Sequence, residues 1–472
     1  MRTFAEVKKA ISSGDTVVSI LDGYLSKISA NENLNAFLEV FEESARIQAE
    51  KVDQKIKNGT AGRLAGVVIG LKDNLCYKGH KVSAASKILD GFESLFTGTA
   101  VERLLAEDAI IIGRLNCDEF AMGSSNENSA FGPVLNARNT KMVPGGSSGG
   151  SSTAVSAGLC TAALGSDTGG SIRQPASFTG TYGLKPTYGR ISRHGLIAYA
   201  SSFDQIGPFT NDLSDAALLL EIMAGADEFD STASSKLTEE YSEFSDPGKK
   251  YKVAVIGENL EMEGIDPEIK EKLQQTITKL KENGHEVETV SFPYLEYMVP
   301  TYYVLTTAEA SSNLSRFDGV HYGYRSGAAV GVEETYKKSR SEGFGPEVQR
   351  RIMAGTFVLS HGYYDAYYTK GMKVRRVLQD KTNDIFKSFD MILLPTTPTT
   401  AFELNAVSDP IAMYLQDIYT VHANLAGNPA ISLPLGEHSN GLPFGVQVMG
   451  DHFKEKEMLN FSNILEKIVE KS

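Results

Sequence analysis

Apolar and polar residues follow two repeating patterns along this chain, one typical of helices and the other of buried strands. Residues 41–58 carry alanine, valine and isoleucine three to four positions apart and end at Asn58-Gly59. This pattern predicts an amphipathic helix that stops at glycine. Residues 64–71 are almost entirely apolar, which predicts a buried strand with Lys72 directly after it.

The same two patterns recur along the rest of the chain. Helices are predicted at about 101–107, 151–159, 266–282, much of 344–387 and around 458–468, and buried strands at 109–113, 160–164, 251–257, 285–290, 390–395 and 430–434. Strands that alternate with helices predict an α/β fold with one sheet covered by helices on both faces. We expect one large domain over residues 1–472, with a helical segment at about 1–60. The polar residues at about 226–250 predict a surface connection or a seam between two lobes.

Composition is that of an ordinary globular enzyme. The chain has 472 residues, 41% hydrophobic and 22% charged, and its 46 basic and 59 acidic side chains give a net charge of −13. An acidic chain is a poor direct ligand for nucleic acid, whose phosphates require a basic face. Only a local basic patch would change that expectation.

Cysteine and histidine usage argues against a metal site. Cys76, Cys117 and Cys160 form no Cys-x-x-Cys pair, and the eight histidines form no His-x3-His motif. We therefore expect reduced thiols in a cytoplasmic protein and no bound metal. The first residues carry no apolar signal segment, and no apolar run approaches about 18 residues, so no membrane span is expected.

Two glycine-flanked serine clusters are the strongest chemical signal. Residues 143–151 have the sequence VPGGSSGGS, and residues 165–176 have the sequence GSDTGGSIRQPA. Glycines beside a hydroxyl let backbone N–H groups crowd a reacting atom, which favours a serine nucleophile with built-in anion stabilisation. A flexible linker is the alternative, but both clusters lie between apolar, patterned segments rather than at a boundary.

The first cluster also matches the Gly-x-Ser-x-Gly motif of α/β-hydrolases, at Ser147 and again at Ser148. That motif requires a buried strand before it, whereas residues 141–144, which end in proline, precede it here. The downstream histidines that could complete such a site stand in no recognisable motif: His422, His438 and His452. The sequence also contains no Walker A loop, so neither a hydrolase elbow nor a phosphate loop is expected.

Lys72 is the best candidate for the base that a serine nucleophile needs. In the absence of a histidine motif, the base would be a lysine held neutral, because desolvation can lower the pKa of a lysine by several units. Lys72 follows a very apolar strand, where burying a charged lysine costs free energy and therefore suggests a functional role. The alternative is a lysine that simply leaves the strand end into solvent.

The spacing of Lys72, Ser147 and Ser171, with the two clusters around the serines, resembles the amidase signature family over nearly the whole chain. The resemblance implies a single α/β domain built on a central mixed sheet. It implies that Ser171 is the nucleophile and Lys72 the neutral base. Ser147 would follow a cis Gly146–Ser147 peptide and relay a proton between them.

The same resemblance implies an oxyanion hole made by the backbone N–H groups of Thr168, Gly169, Gly170 and Ser171. The residue types agree with this expectation, because Gly169 and Gly170 carry no side chains that could block the backbone N–H groups in a turn that begins a helix. Each such donor lowers a barrier by roughly 3–4 kcal/mol. Ser148 would support Lys72 by hydrogen bonding.

Further stretches are similar to the glutamine-hydrolysing subunits of tRNA-dependent amidotransferases within that family: residues 174–177, 200–208, 309–314, 347–353, 362–368 and 424–429. This similarity implies that Arg351 pairs with the substrate carboxylate and Asp417 with its ammonium. The alternative for each is an ordinary surface or helix-face charge. Arg350 and Arg351 point about 100° apart on a helix, so only one of them can face the pocket.

The resemblance thus implies a glutaminase subunit that releases ammonia from glutamine through an acyl-enzyme on Ser171. Subunits B and C would complete a heterotrimer, in which a partner binds misacylated tRNA and uses ATP and Mg²⁺. Glu-tRNA(Gln) is the expected substrate of that partner, with Asp-tRNA(Asn) left open, and no cofactor is expected in this chain. Two alternatives remain: a free-standing amidase for small or fatty amides, and a catalytically silent scaffold subunit.

Overall fold

A mixed β-sheet forms the centre of the protein. The computed structural model describes residues 1–244, 248–262, 264–407 and 409–470. The strands within them are β1 (Phe37–Val40), β2 (Val68–Lys72), β3 (Ile110–Leu115), β4 (Ala162–Asp167), β5 (Tyr182–Lys185), β6 (Gln205–Thr210), β7 (Lys252–Ile256), β8 (Glu286–Val290), β9 (Met391–Pro395), β10 (Ala430–Glu437) and β11 (Pro443–Gly450).

Helices cover this sheet. Those in the described residues are α1 (Phe4–Ser12), α2 (Val17–Ala30), α3 (Glu42–Lys57), α4 (Thr99–Ala106), α5 (Gly149–Ser156), α6 (Arg173–Thr179), α7 (Leu213–Met223), α8 (Gly257–Glu261), α9 (Pro267–Glu282), α10 (Leu295–Asn313), α11 (Gly331–Gly343), α12 (Pro346–Val358), α13 (Lys370–Phe386), α14 (Pro410–Leu415), α15 (Val421–Ala426) and α16 (Glu455–Glu470). None of these helices has both the length and the apolar content needed to cross a membrane.

The strands lie in the order β1-β3-β2-β4-β6-β5-β10-β11-β9-β7-β8. Strands β3, β2 and β4 are mutually parallel on one side of the sheet, and β9, β7 and β8 are mutually parallel on the other. Antiparallel pairs join the two parallel groups through β6, β5, β10 and β11. Because β2 and β4 are parallel neighbours, their last residues, Lys72 and Asp167, lie at the same edge of the sheet.

The core lies on both faces of the sheet, because successive residues of a strand point to opposite faces. In β3, Ile111 belongs to one buried apolar cluster, whereas Ile110 belongs to another. In β9, Leu393 belongs to the first of these clusters and Leu394 to a third. The predicted α/β class, with a mixed sheet covered on both faces, is confirmed.

Four of the described strands were not predicted, and three of them contain glycine or proline. The missing ones are β1, β5, β6 and β11. Strand β6 contains Gly207-Pro208, and β11 begins at Pro443 with a glycine two residues later, so their sequences have the features of turns. Strand β1 is a short, half-buried edge strand inside the segment predicted to be helical, residues 1–60, which also contains α1, α2 and α3.

The stretch between α7 and β7 contains no helix or strand in its described residues. Part of the connection predicted at about 226–250, residues 245–247, lies outside the described residues. The described part is not confined to the surface, because Tyr241 is fully buried and Asp230 nearly so. Asp230 accepts a hydrogen bond from the backbone N–H of Arg193 at 2.8 Å, which ties the connection to the body of the protein.

Candidate active site

Lys72 lies at the buried end of β2 and does not leave the strand into solvent. Its side chain is fully buried, and its Nζ lies 2.7 Å from Ser147 Oγ and 2.9 Å from Ser148 Oγ. The same Nζ lies 3.0 Å from Ser166 Oγ. The amine is therefore surrounded by three hydroxyls, which can accept its protons or, in the case of a neutral amine, donate one to its lone pair.

Burial changes the protonation of this amine. Desolvation lowers the pKa of Lys72 to about 8, against the opposing effect of Cys117, Asp118, Asp167 and Asp204 nearby. A lysine in this environment is substantially neutral only slightly above neutral pH, whereas an exposed lysine needs a far more alkaline solution. Lys72 is therefore able to act as a base under mild conditions.

The segment before α5 brings Ser147 to Lys72 through a closely packed glycine turn. Gly145 has φ +82°, a conformation that favours glycine, and a Cβ on Gly146 would lie 2.1 Å from Asp118 Oδ2, so neither position accepts an ordinary side chain without strain. The Gly146–Ser147 peptide is cis, as the family resemblance implied. The backbone N–H of Asp118 donates to the Ser147 carbonyl at 3.1 Å, which fixes the turn from the other side.

Asp167, the last residue of β4, organises the second cluster. Its carboxylate accepts hydrogen bonds from the backbone N–H groups of Gly170 at 2.9 Å and Ile172 at 3.2 Å. It also accepts from Arg173 Nε at 3.0 Å and Nη2 at 2.9 Å. Burial alone would raise the pKa of Asp167, but the Arg173 guanidinium, together with Lys185 and Asn424, outweighs burial and lowers that pKa to about 2. The carboxylate therefore stays ionised and holds the turn that carries Ser171.

The predicted oxyanion donors lie in this turn, and one of them is already engaged. The N–H of Gly170 points at Asp167, which leaves the N–H groups of Thr168, Gly169 and Ser171 as the candidate donors of the predicted set. A Cβ on Gly169 would lie 2.5 Å from the Tyr302 ring, and one on Gly170 would lie 2.1 Å from Thr420 Oγ1. Glycine is therefore required by close packing at both positions.

Exposure separates the roles that the three predicted residues could have. Lys72 and Ser147 are fully buried, whereas Ser171 retains 8% of its surface. A substrate molecule can reach only a group with some exposed surface. Ser171 is thus the member of the three that a substrate can contact.

Arg351, and not its neighbour Arg350, faces inward from α12. The side chain of Arg351 is 4% exposed and that of Arg350 is 51% exposed. Arg351 donates to Glu347 Oε1 at 2.8 Å and to the Tyr199 hydroxyl at 2.8 Å. Its guanidinium also lies over the ring of Tyr303, at 5.3 Å from the ring centroid.

Asp417 lies close to the same aromatic group. Its Oδ2 accepts a hydrogen bond from Ser124 Oγ at 2.8 Å, and the Tyr303 hydroxyl lies 3.4 Å away. Burial raises the pKa of Asp417 to about 7. Tyr303 therefore contacts both side chains, so the structure brings Arg351 and Asp417 to one place. Arg351 also lines an adjoining cavity of about 410 Å³ together with Glu347 and Tyr414.

Thr420 connects this place to the glycine turn. Its hydroxyl lies 2.6 Å from the carbonyl oxygen of Gly169 and 3.0 Å from that of Asp417. The backbone of Asp417, whose carboxylate could bind an ammonium, and the turn that carries Ser171 are therefore both hydrogen-bonded to one side chain.

Several residues of the site were not found by sequence reasoning. Asp167 and Arg173 stand in the second cluster, and their opposite charges six positions apart were a usable signal. Ser124, Tyr303 and Thr420 had no such signal, because only the fold brings them together. In the described part of the chain, no group of three or more His, Cys, Asp or Glu side chains could hold a metal ion.

Comparison with known proteins identifies the family. The family model described as Amidase matches residues 19–459. The chain belongs to the amidase family. Two relatives of this amidase carry the name of the A subunit of glutamyl-tRNA(Gln) amidotransferase. The one from Koribacter versatilis is 50% identical over 96% of this chain and 95% of its own length. The one from Lachnospira eligens is 49% identical over 97% and 96%.

Solved structures give the same family. The amidase resembles the crystal structure of the glutamyl-tRNA(Gln) amidotransferase A subunit from Thermotoga maritima, with a TM-score of 0.78, 40% identity and coverage of 96% of this chain and 94% of that one. It also resembles the native peptide amidase from Stenotrophomonas maltophilia, with a TM-score of 0.82, 26% identity and coverage of 99% and 97%. The predicted amidase fold is confirmed, and it is shared by enzymes with different substrates.

The buried pair of Asp167 and Arg173 gives a stability prediction. Arg173→Met leaves the Asp167 carboxylate buried without its guanidinium, so we expect the amidase to lose about 3–5 kcal/mol of unfolding free energy. Denaturant titration measures this loss. Arg376→Met is the matched control, because Arg376 pairs with Asp380 on the surface and its loss should change little. Equal effects of the two substitutions would contradict the organising role given to Asp167.

Proposed function

We propose that this amidase is the glutamine-hydrolysing subunit of a tRNA-dependent amidotransferase. The observation that carries the proposal is the buried pair of Arg351 and Asp417, which share Tyr303 beside the serine–lysine cluster. A buried cation and a buried carboxylate suit the carboxylate and ammonium of an amino acid, and a simple amide has no use for them. The relatives that carry the amidotransferase name, at about half identity over nearly the whole chain, support the same proposal.

In the proposed reaction, neutral Lys72 accepts the proton of Ser147, and Ser147 accepts the proton of Ser171. Ser171 Oγ forms a bond to the side-chain amide carbon of glutamine, and the carbonyl oxygen becomes an oxyanion. The N–H groups of Thr168, Gly169 and Ser171 are the proposed donors to it. Collapse of this tetrahedral intermediate breaks the carbon–nitrogen bond. The proton held by Lys72 is transferred to the leaving nitrogen, which departs as ammonia. Water then cleaves the glutamyl ester by the reverse proton path and releases glutamate.

The remaining chemistry would belong to partner subunits. We propose a heterotrimer with subunits B and C in the cytoplasm, in which a partner binds the misacylated tRNA and uses ATP and Mg²⁺ to accept the ammonia. The net charge of −13 fits a protein that does not itself bind tRNA. A free-standing amidase of the same fold is the second candidate, because the peptide amidase shares the fold with a TM-score of 0.82, at 26% identity.

Removal of the nucleophile separates the two halves of the proposed reaction. In the assembled heterotrimer, Ser171→Ala should abolish glutamine-dependent amidation of Glu-tRNA(Gln) and leave amidation with added ammonium salt nearly unchanged. Ser156→Ala is the control, since that buried hydroxyl donates to the Thr179 carbonyl at 2.9 Å and has no part in the proposed proton path. Full glutamine-dependent activity in Ser171→Ala, or none in the wild type, would rule the proposal out.

The adjacent arginines test substrate recognition. Arg351→Met removes the proposed partner of the substrate carboxylate, so kcat/KM for glutamine should fall by about 100-fold or more. Arg350→Met, which changes the exposed neighbour, should keep kcat/KM within about threefold of the wild type. Hydrolysis of a simple amide such as butyramide serves as the comparison. If Arg351→Met leaves that hydrolysis intact and the wild type does not hydrolyse glutamine, the free-standing amidase is the better assignment.

Two pKa values predict two separate effects of acid. The neutral form of Lys72 decreases below pH of about 8, so the rate at which a fluorophosphonate labels Ser171 should fall tenfold per pH unit below that value. The ionised form of Asp417 decreases below pH of about 7, so KM for glutamine should rise there in addition. Asp417→Asn should remove the second effect and keep the first. A labelling rate that stays constant over about four pH units, from pH 9 to pH 5, would contradict a lysine base.

A further inference from the structure

Gln174 has a side-chain amide whose orientation is fixed by two backbone groups. It is fully buried on α6, close in sequence to Ser171. Its Nε2 donates to the carbonyl oxygen of Ser124 at 2.7 Å, and its Oε1 accepts from the N–H of Gly146 at 2.9 Å. A carbonyl can only accept and an N–H can only donate, so the amide cannot be turned over without losing both bonds.

These bonds belong to a continuous series that begins at Asp417. Ser124 donates through its hydroxyl to Asp417 Oδ2 at 2.8 Å and accepts through its carbonyl from Gln174. Gln174 then accepts from Gly146, the residue directly before Ser147. Three hydrogen bonds therefore connect the carboxylate proposed to bind the substrate ammonium with the peptide that carries the proposed proton relay.

Close packing leaves little freedom at the end of this series. A Cβ on Gly145 would lie 2.4 Å from Gln174 Oε1, and one on Gly146 would lie 2.7 Å from the backbone nitrogen of Ser125. The turn before Ser147 is thus held between the side chain of Gln174 and the backbone that follows Ser124. A shift of Ser124 is transmitted to this turn, because packed interiors yield little to displacement.

We propose that Gln174 is a positioning residue that couples occupation of Asp417 by the substrate ammonium to the placement of Ser147. This inference rests on the proposed function and adds to it a reason why an amino-acid amide would react faster than an amide that lacks the α-ammonium. An ammonium bound at Asp417 shifts the carboxylate to which Ser124 is hydrogen-bonded. Gln174, which is bonded to Ser124, transmits this shift to the backbone of Gly146. Recognition would then raise kcat as well as affinity.

A double-mutant cycle in the assembled heterotrimer measures this coupling directly. The variants are Gln174→Leu, Asp417→Asn and both together, and the quantity is kcat for glutamine. Coupled positions show losses that do not multiply. We expect the double variant to retain about tenfold more activity than the product of the two single losses predicts.

Substrate choice gives a readout that a purely structural role would not change. The amide 4-carbamoylbutanoate is glutamine without its α-ammonium, so the ratio of kcat for glutamine to kcat for this amide reports the benefit of the ammonium. We expect Gln174→Leu to reduce that ratio toward one. Ser124→Ala is the gentler variant, because it removes the hydroxyl at Asp417 and keeps the carbonyl, and it should reduce the ratio in the same direction.

Gln205 provides a matched control. It is equally buried, and its amide also joins two backbone groups, the carbonyl of Asp204 at 2.6 Å and the N–H of Gly189 at 3.2 Å. Gln205→Leu should therefore cost similar stability. Its loss of kcat should multiply with that of Asp417→Asn, and it should leave the substrate ratio unchanged.

The outcomes separate this inference from the proposed function. If the wild-type heterotrimer hydrolyses no glutamine, the proposed function fails first and the inference fails with it. If the wild type prefers glutamine over 4-carbamoylbutanoate but the losses of Gln174→Leu and Asp417→Asn multiply, only the inference is overturned. An unchanged substrate ratio in both Gln174→Leu and Ser124→Ala overturns it equally.

Discussion

Desolvation of the Lys72 amine is the constraint on which the rest of the site depends. A fully buried lysine is costly in its charged form, and its pKa is therefore lowered to about 8. The serines make this burial tolerable, because the hydroxyls of Ser147, Ser148 and Ser166 lie within hydrogen-bonding distance of Nζ. The serines near Lys72 thus have a structural role: their hydroxyls provide hydrogen-bond partners for a buried amine that would otherwise be unpaired at the end of an apolar strand.

A second buried charge, the Asp167 carboxylate, gives the site its shape. Its charge is balanced by Arg173, and two backbone N–H groups of the turn around Ser171 donate to it. Lys72 and Asp167 end two parallel neighbouring strands, so the sheet itself brings the amine and the turn to one edge. The glycines between them follow from close packing, since an added Cβ at Gly146 or Gly170 would collide with its neighbours.

The fold class and the serine–lysine positions could be predicted because their signals are local. Lys72 directly follows a run of apolar residues, and Ser147 and Ser171 are flanked by glycines. Residues far apart in the chain gave no comparable signal. Nothing local indicates that Ser124 and Tyr303 would both contact Asp417, because that contact depends on helices and loops from distant parts of the sequence.

Some strands and the directions of hydrogen bonds also could not be predicted from the sequence. Strand β6 was not predicted because the Gly207-Pro208 pair within it has the composition of a turn, yet it pairs with β4 from Gln205 to Phe209. Likewise, the glycine pattern indicated N–H donors near Ser171, but only the structure shows that the N–H of Gly170 points at Asp167. A sequence gives the number of available donors, and the fold decides which of them are free.

The central claim is that Ser171, activated through Ser147 and Lys72, forms a covalent ester with glutamine. Acid quenching of the protein during turnover, followed by mass spectrometry of its peptides, tests this most directly. The account predicts a glutamyl group on the peptide that contains Ser171, and no such adduct in a Lys72→Met variant, in which the base is missing. A glutamyl group on any other side chain, or an unchanged adduct on Ser171 in Lys72→Met, would contradict it.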